Sequence, residues 1–106
     1  MRDLMDIMKQ AQAMQQKMQD VQAELEALEV QGSSGGGFVT TTMTAKGQVK
    51  SVLIDRSLMN PDEAEILEDL VVAAMNDART KADRVMQERM EEVTKGLPLP
   101  PGMTLF

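Results

Sequence analysis

Leu4, Ile7, Ala11, Met14, Met18, Val21, Leu25 and Leu28 follow one another at alternating spacings of three and four residues, without a slip. This is a heptad stripe, the pattern of an amphipathic helix that buries one seam. Leu4, Ala11, Met18 and Leu25 occupy one seam position, and Ile7, Met14, Val21 and Leu28 the other. Gln and charged residues fill the remaining faces, and neither Gly nor Pro interrupts residues 3–29. At 1.5 Å per residue such a helix is about 40 Å long. In a chain of 106 residues, which has room for one compact domain and not for two, it must project beyond any sheet to which it is joined.

After Glu29 the period changes. Residues 30–55 read as a sheet. Val30–Ser34 is a short strand, Gly35-Gly36-Gly37 a turn, and Phe38–Ala45 (FVTTTMTA) a β-branched strand. Lys46-Gly47 is a tight hairpin turn, and Gln48–Asp55 the third strand, with Val52 and Ile54 on one face. Val49 falls out of that alternation, which predicts a bulge. Three consecutive strands on short turns make an antiparallel meander.

Asn60-Pro61-Asp62-Glu63 is a helix start: Asn60 as cap, Pro61 at the first helical position, Glu63 completing a pattern like a capping box. The second helix, residues 60–95, stops before Gly96 and Pro98. Ala74, Ala78 and Ala82 on its apolar face would let another helix approach closely. The tail 97–106 (LPLPPGMTLF) reads as extended. The fold class is α+β: helix, three-stranded antiparallel sheet, long helix. If the helices lie side by side, the start of the first meets the end of the second and the two form one tip.

Composition removes several function classes. There is no Cys and no His. Zinc and haem lose their usual ligands, and the commonest general acid–base group near neutral pH is missing. Absence of Cys fits a reducing cytosol. The opening residues are charged, unlike a signal peptide, and no apolar run approaches the ~20 residues of a membrane helix. The Gly32–Gly37 run (GSSGGG) lacks the Lys-Ser/Thr of a phosphate loop and reads as a hairpin turn. Glu63, Glu65, Glu68 and Asp69 stand in the first helical turns, where the helix dipole favours acids, rather than forming a cation site. No nucleophile–base constellation is visible. The chain reads as a non-enzyme with no catalytic residue, cofactor, metal or small-molecule substrate. Eleven Met and two per cent aromatic residues describe a thin, adaptable core. A second copy would be needed to finish burying it.

The net charge is −6, which by itself argues against phosphate contact. The charge is unevenly spread. Residues 1–18 and 79–95 are each net +1, residues 30–59 are net +2, and residues 19–29 and 60–78 hold ten acids and no base. Acid therefore collects near the sheet end of both helices, and the tip is mildly basic. Charges separated by more than about 8–10 Å are largely screened at physiological salt, so such a tip could face DNA. The same charges also read as ordinary solvated helix faces laced with i,i+4 pairs such as Asp77–Lys81.

The order and spacing of four segments resemble the YbaB/EbfC family across nearly the whole chain. They are MKQAQAMQQKMQ, GSSGGGFVTTTMTAKGQVKSVLID, NPDEAEILEDLVVAAMNDA and LPLPPGM. The resemblance implies a nucleoid-associated, cytoplasmic protein: a tweezers-shaped homodimer whose projecting helical arms bind duplex DNA with little sequence preference and alter its conformation. Carried onto this chain, it makes Arg2, Lys9, Arg79, Lys81, Arg84 and Arg89 the expected phosphate contacts. Phe38, Val52, Ile54 and Leu70 are the expected dimer surface. The competing expectation is an acidic dimeric protein–protein interaction module that does not bind DNA.

Overall fold

The computed structural model describes residues 2–95, apart from the side chain of Arg2. Helix α1 spans Arg2–Ala27, strands β1, β2 and β3 span Glu29–Ser34, Val39–Thr44 and Val49–Ile54, and helix α2 spans Ala64–Lys95. The sheet order is β1-β2-β3, antiparallel throughout. The fold class is the expected one, and each boundary falls within a few residues of its expected place. The tail 97–106 lies outside the described residues.

The bulge foreseen at Val49 is present. Thr42 pairs with Ser51 but Met43 pairs with Val49, so Lys50 is the extra residue. Directly paired residues share a face. Val49 therefore joins Val52 and Ile54 on the side facing α2, despite the spacing of three. The triple-glycine turn has positive φ at all three residues, a conformation that other side chains seldom adopt. The start of α2 also follows its local signals. Asn60 Oδ1 accepts from the Glu63 amide at 3.2 Å, and Pro61 opens a 3-10 turn that runs into the helix. Asn60→Ala is expected to cost about 1 kcal/mol, a fall of roughly 4–8 °C in Tm for a domain of this size. Thermal melts of the two proteins check it.

Three apolar clusters form the core. Val39, Leu58 and Ala74 are buried with Val52, Ile54, Leu67, Leu70 and Val71 against them. Met43, Ala78 and Ala82 continue the layer, flanked by Val30 and Met75. Beyond the end of the sheet, Val21, Leu25 and Ala45 meet Met90 and Val93. The first two clusters seat α2 on β1 and β2. The third joins α2 to the last turns of α1.

The alanine stripe corrects one expectation. Ala74, Ala78 and Ala82 do not receive another helix. They are buried against the sheet, and they let α2 descend onto β1 at Gly32. A side chain at Gly32 would collide with the Ala74 carbonyl and the Ala78 amide. The apolar pattern marked a close-packing face, and the layer it meets is a strand.

The tip is corrected as well. The helices run antiparallel, with Arg89 beside Glu24 and Val93 packed with Val21. The end of α2 thus lies beside the middle of α1. Residues 3–13 of α1 are all exposed and project past the end of α2. The offset follows from use of length. Through Ala82, α2 is occupied by the sheet, whereas α1 touches the body only with its last turns. The Cα trace is accordingly elongated, 73 × 26 × 16 Å.

Candidate nucleic-acid interface

The six expected phosphate contacts fall into three groups. Lys9 is exposed on the projecting part of α1, and Arg84 is exposed on α2. Neither makes an ion pair with another described residue. Arg79, Lys81 and Arg89 are engaged. The side chain of Arg2 lies outside the described residues.

Arg79 pairs with Asp83 at 3.1 Å and lies against the hairpin turn, where a Cβ at Gly47 would come within 2.9 Å of its Nη1. Arg89 sits between the helices, 3.1 Å from Glu24 and 3.4 Å from Glu92. It helps hold α1 against α2, and two carboxylates already share its charge.

Lys81 has a structural task that its sequence neighbours did not disclose. Edge strands leave alternate backbone groups without a strand partner. On β1, the Lys81 ammonium donates to the Gln31 carbonyl at 2.8 Å. The Ser33 amide donates to Asp77 at 3.0 Å. Lys81 and Asp77 are themselves 3.2 Å apart. This i,i+4 pair therefore stands where a neighbouring strand would be and blunts the edge. The Ser33 amide, then Lys81, hold the Asp77 carboxyl below its ordinary value of 3.8. A carboxylate whose pKa falls on folding stabilises the fold above its unfolded value, and that contribution is lost as pH drops through the folded value. Asp77→Asn is expected to lower Tm near neutral pH. The gap from the parent chain should close below pH 3.8, as measured by melts across an acid series.

The other cations sort in the same way. Lys46 pairs with Glu26 and Lys50 with Glu29. Lys17 and Lys95 are exposed on the arm with no ion pair among the described residues. They entered the regional charge count but were not singled out, because heptad position does not reveal which cations find acids. Arg56, in the turn after β3, is likewise exposed with no ion pair among the described residues. The other free cations lie along α1 and the second half of α2, while Lys46, Lys50, Arg79 and Lys81 near the sheet are paired.

Of the four residues assigned to a dimer surface, Phe38 is exposed. Val52, Ile54 and Leu70 are half-buried within this chain's own cluster around Val39. Among the described residues, no group of three or more acids converges to hold a metal ion, and no helix is long and apolar enough to cross a membrane.

The model of the YbaB/EbfC DNA-binding family matches residues 1–97. The chain belongs to the YbaB/EbfC DNA-binding family. Its relatives include a nucleoid-associated protein of Methylocella silvestris, 58% identical over 99% of this chain and 98% of that one. Another, from Nitrobacter hamburgensis, is 57% identical over 99% of both chains. The fold is also that of an uncharacterized Helicobacter pylori protein of known crystal structure. Its TM-score is 0.66 at 18% identity, over 85% of this chain and 90% of that one. This is a DNA-binding family and not an enzyme family, with nucleoid-associated bacterial members.

Proposed function

We propose that this chain is a cytoplasmic, nucleoid-associated homodimer whose helical arms bind duplex DNA with little sequence preference and alter its conformation. The observation that carries this reading is the segregation of free cations. Four of the five cations unpaired among the described residues, Lys9, Lys17, Arg84 and Lys95, lie on the helices and the fifth, Arg56, follows β3, while the ten-acid excess lies in residues 19–29 and 60–78. Non-specific DNA binding rests on phosphate contacts of this kind. With Glu24 level with Arg89, Lys9 and Arg84 are roughly 30 Å apart along the arm at 1.5 Å per residue. That is close to one duplex turn, about 34–36 Å. A duplex lying along the arm could present phosphates to both.

Dimerisation has its own support. Leu53 is 70% exposed, Met59 64% and Phe38 44%. Leu53 pairs with Thr40 and so lies on the sheet face opposite Val52 and Ile54, while Phe38 directly precedes β2 and Met59 follows the turn after β3. A second copy covering them would complete the thin core. A monomer by analytical ultracentrifugation at micromolar concentration would defeat the dimer.

The direct test is titration into fluorescent duplexes of unrelated sequence at several salt concentrations. Similar affinity for all duplexes, falling as salt rises, supports arm–phosphate contact, and the log–log slope counts contacts at about 0.9 each. If none binds at low salt, the DNA reading fails for this chain, and the acidic protein-interaction module takes its place.

A further inference from the structure

The two edges of the sheet are finished differently. On β1, Lys81 and Asp77 take up the outward backbone groups of Gln31 and Ser33. Among the described residues β3 pairs with β2 alone. The Asp55 amide donates to the Phe38 carbonyl at 2.8 Å. By the alternation of an antiparallel pair, Ser51 and Leu53 therefore turn their backbone groups toward β2, and Val52 and Ile54 turn theirs outward. Among the described residues, no other backbone or side-chain group bonds to that outer edge.

Open edges are commonly guarded by a lysine. The charged residue of β3 is Lys50, and it is drawn across the sheet to Glu29 of β1 at 3.4 Å, away from the edge. The other side chains along the edge are mostly apolar and incompletely covered. α2 lies over β1 and β2, which leaves Val52 and Ile54 half-buried and Val49 exposed. Leu53, on the opposite face, is 70% exposed.

We propose that the occupant of this edge is the β3 strand of a second copy, paired antiparallel about a twofold axis at Leu53, so that the two sheets join into one. The inference rests on the homodimer reading above and names the surface that makes the dimer. Three observations select this occupant. Outward N–H and C=O groups at Val52 and Ile54 match an extended backbone. The added strand must be apolar on both faces of the sheet, and Val52-Leu53-Ile54 itself meets that requirement. An identical strand laid antiparallel also makes the self-complementary contact of a closed dimer. The β1 edges, then outermost, are already blunted by Lys81 and Asp77, so the joined sheet ends there.

The register follows from the bulge and from Leu53. The bulge at Lys50 confines pairing to the residues after it. Centred on Leu53, Val52 of one copy exchanges both backbone hydrogen bonds with Ile54 of the other. The two Leu53 side chains then face each other in a non-hydrogen-bonded pair, where Cα atoms lie about 4.5 Å apart. Centred on Val52, the strands would set each Leu53 against Ser51 and each Ile54 against Lys50. The first register covers apolar surface with apolar surface.

The chain has no cysteine, so an engineered one reports cleanly. Full-length Leu53→Cys should oxidise to a disulfide-linked dimer, since the Cα separation of such a pair suits the bond. Ser51→Cys is the control. It lies on the same face of the same strand, but its two copies would stand about 14 Å apart and should cross-link several-fold less. The unaltered protein gives a second readout. In the dimer, the Val52 and Ile54 amides should exchange with deuterium roughly 100-fold more slowly than amides open to solvent. Suppose ultracentrifugation finds a dimer, yet Leu53→Cys cross-links no better than Ser51→Cys, or those two amides exchange as open ones do. Either result overturns the β3 seam and leaves the dimer on another surface. A monomer at micromolar concentration overturns the seam and the homodimer reading together.

Discussion

Gly32→Ala is expected to lower Tm by roughly 10–25 °C, the equivalent of about 3 kcal/mol for a domain of this size. Gly32 is buried and its φ lies outside the left-handed region, so alanine carries no backbone penalty there. Alanine would even reduce the freedom of the unfolded chain, a gain of about 0.4–1 kcal/mol. The clash outweighs that gain. A Cβ would run into the Ala74 carbonyl oxygen and the Ala78 amide nitrogen, as well as the Ala78 methyl at 2.7 Å. Two of the three obstacles are helix backbone, so no rotamer change relieves them, and α2 must lift from β1 along the Ala74–Ala78–Ala82 contact. Adding Ala78→Gly removes only the methyl and should not restore the melt. Gly36→Ala is the control. It meets nothing within 4 Å but has a φ of +69°, so its cost is the conformational 1–2 kcal/mol alone. A Gly32→Ala protein melting at or above the Gly36→Ala temperature would show that α2 does not sit where the structure has it.

Gly32 also marks where the sequence stopped being informative. A glycine inside a short strand signals either a bulge or a close approach, and its neighbours do not say which. The same limit applies to Ala74, Ala78 and Ala82, whose spacing announces a flat face but not what lies on it. By contrast, features decided over a few residues were legible. The heptad fixed α1, Lys46-Gly47 the hairpin, the misplaced Val49 the bulge, and Asn60 the start of α2. The offset between the helices was not legible, because it depends on how much of α2 the sheet consumes. In the candidate interface, the excess of acid away from the arm could be counted directly. Which cations were free could not, since Lys81 and Arg89 find partners on β1 and α1 that are remote in sequence.

That division among cations yields the last expectation. Arg84→Ala should leave Tm nearly unchanged, as exposed substitutions without partners do, and should weaken duplex binding equally across sequences. Each phosphate contact contributes about 0.9 to the log–log salt slope, which at 0.1 M salt is worth roughly 8-fold relative to 1 M. In the proposed homodimer two such contacts would be lost, so the slope should fall by about 2 and affinity by roughly 60-fold. Arg84→Glu should weaken binding further by repelling phosphate. Lys81→Ala is expected to do the reverse. It strips the donor from the Gln31 carbonyl and the counter-ion from Asp77, so Tm falls by a few degrees while the salt slope stays put. The two variants remove the same charge three residues apart on one helix, and net charge alone would make them equivalent. Equal slopes in both would mean that regional charge, not the freedom of individual cations, governs binding. A slope lost in Lys81→Ala but kept in Arg84→Ala would mean that DNA approaches the β1 edge rather than the arm.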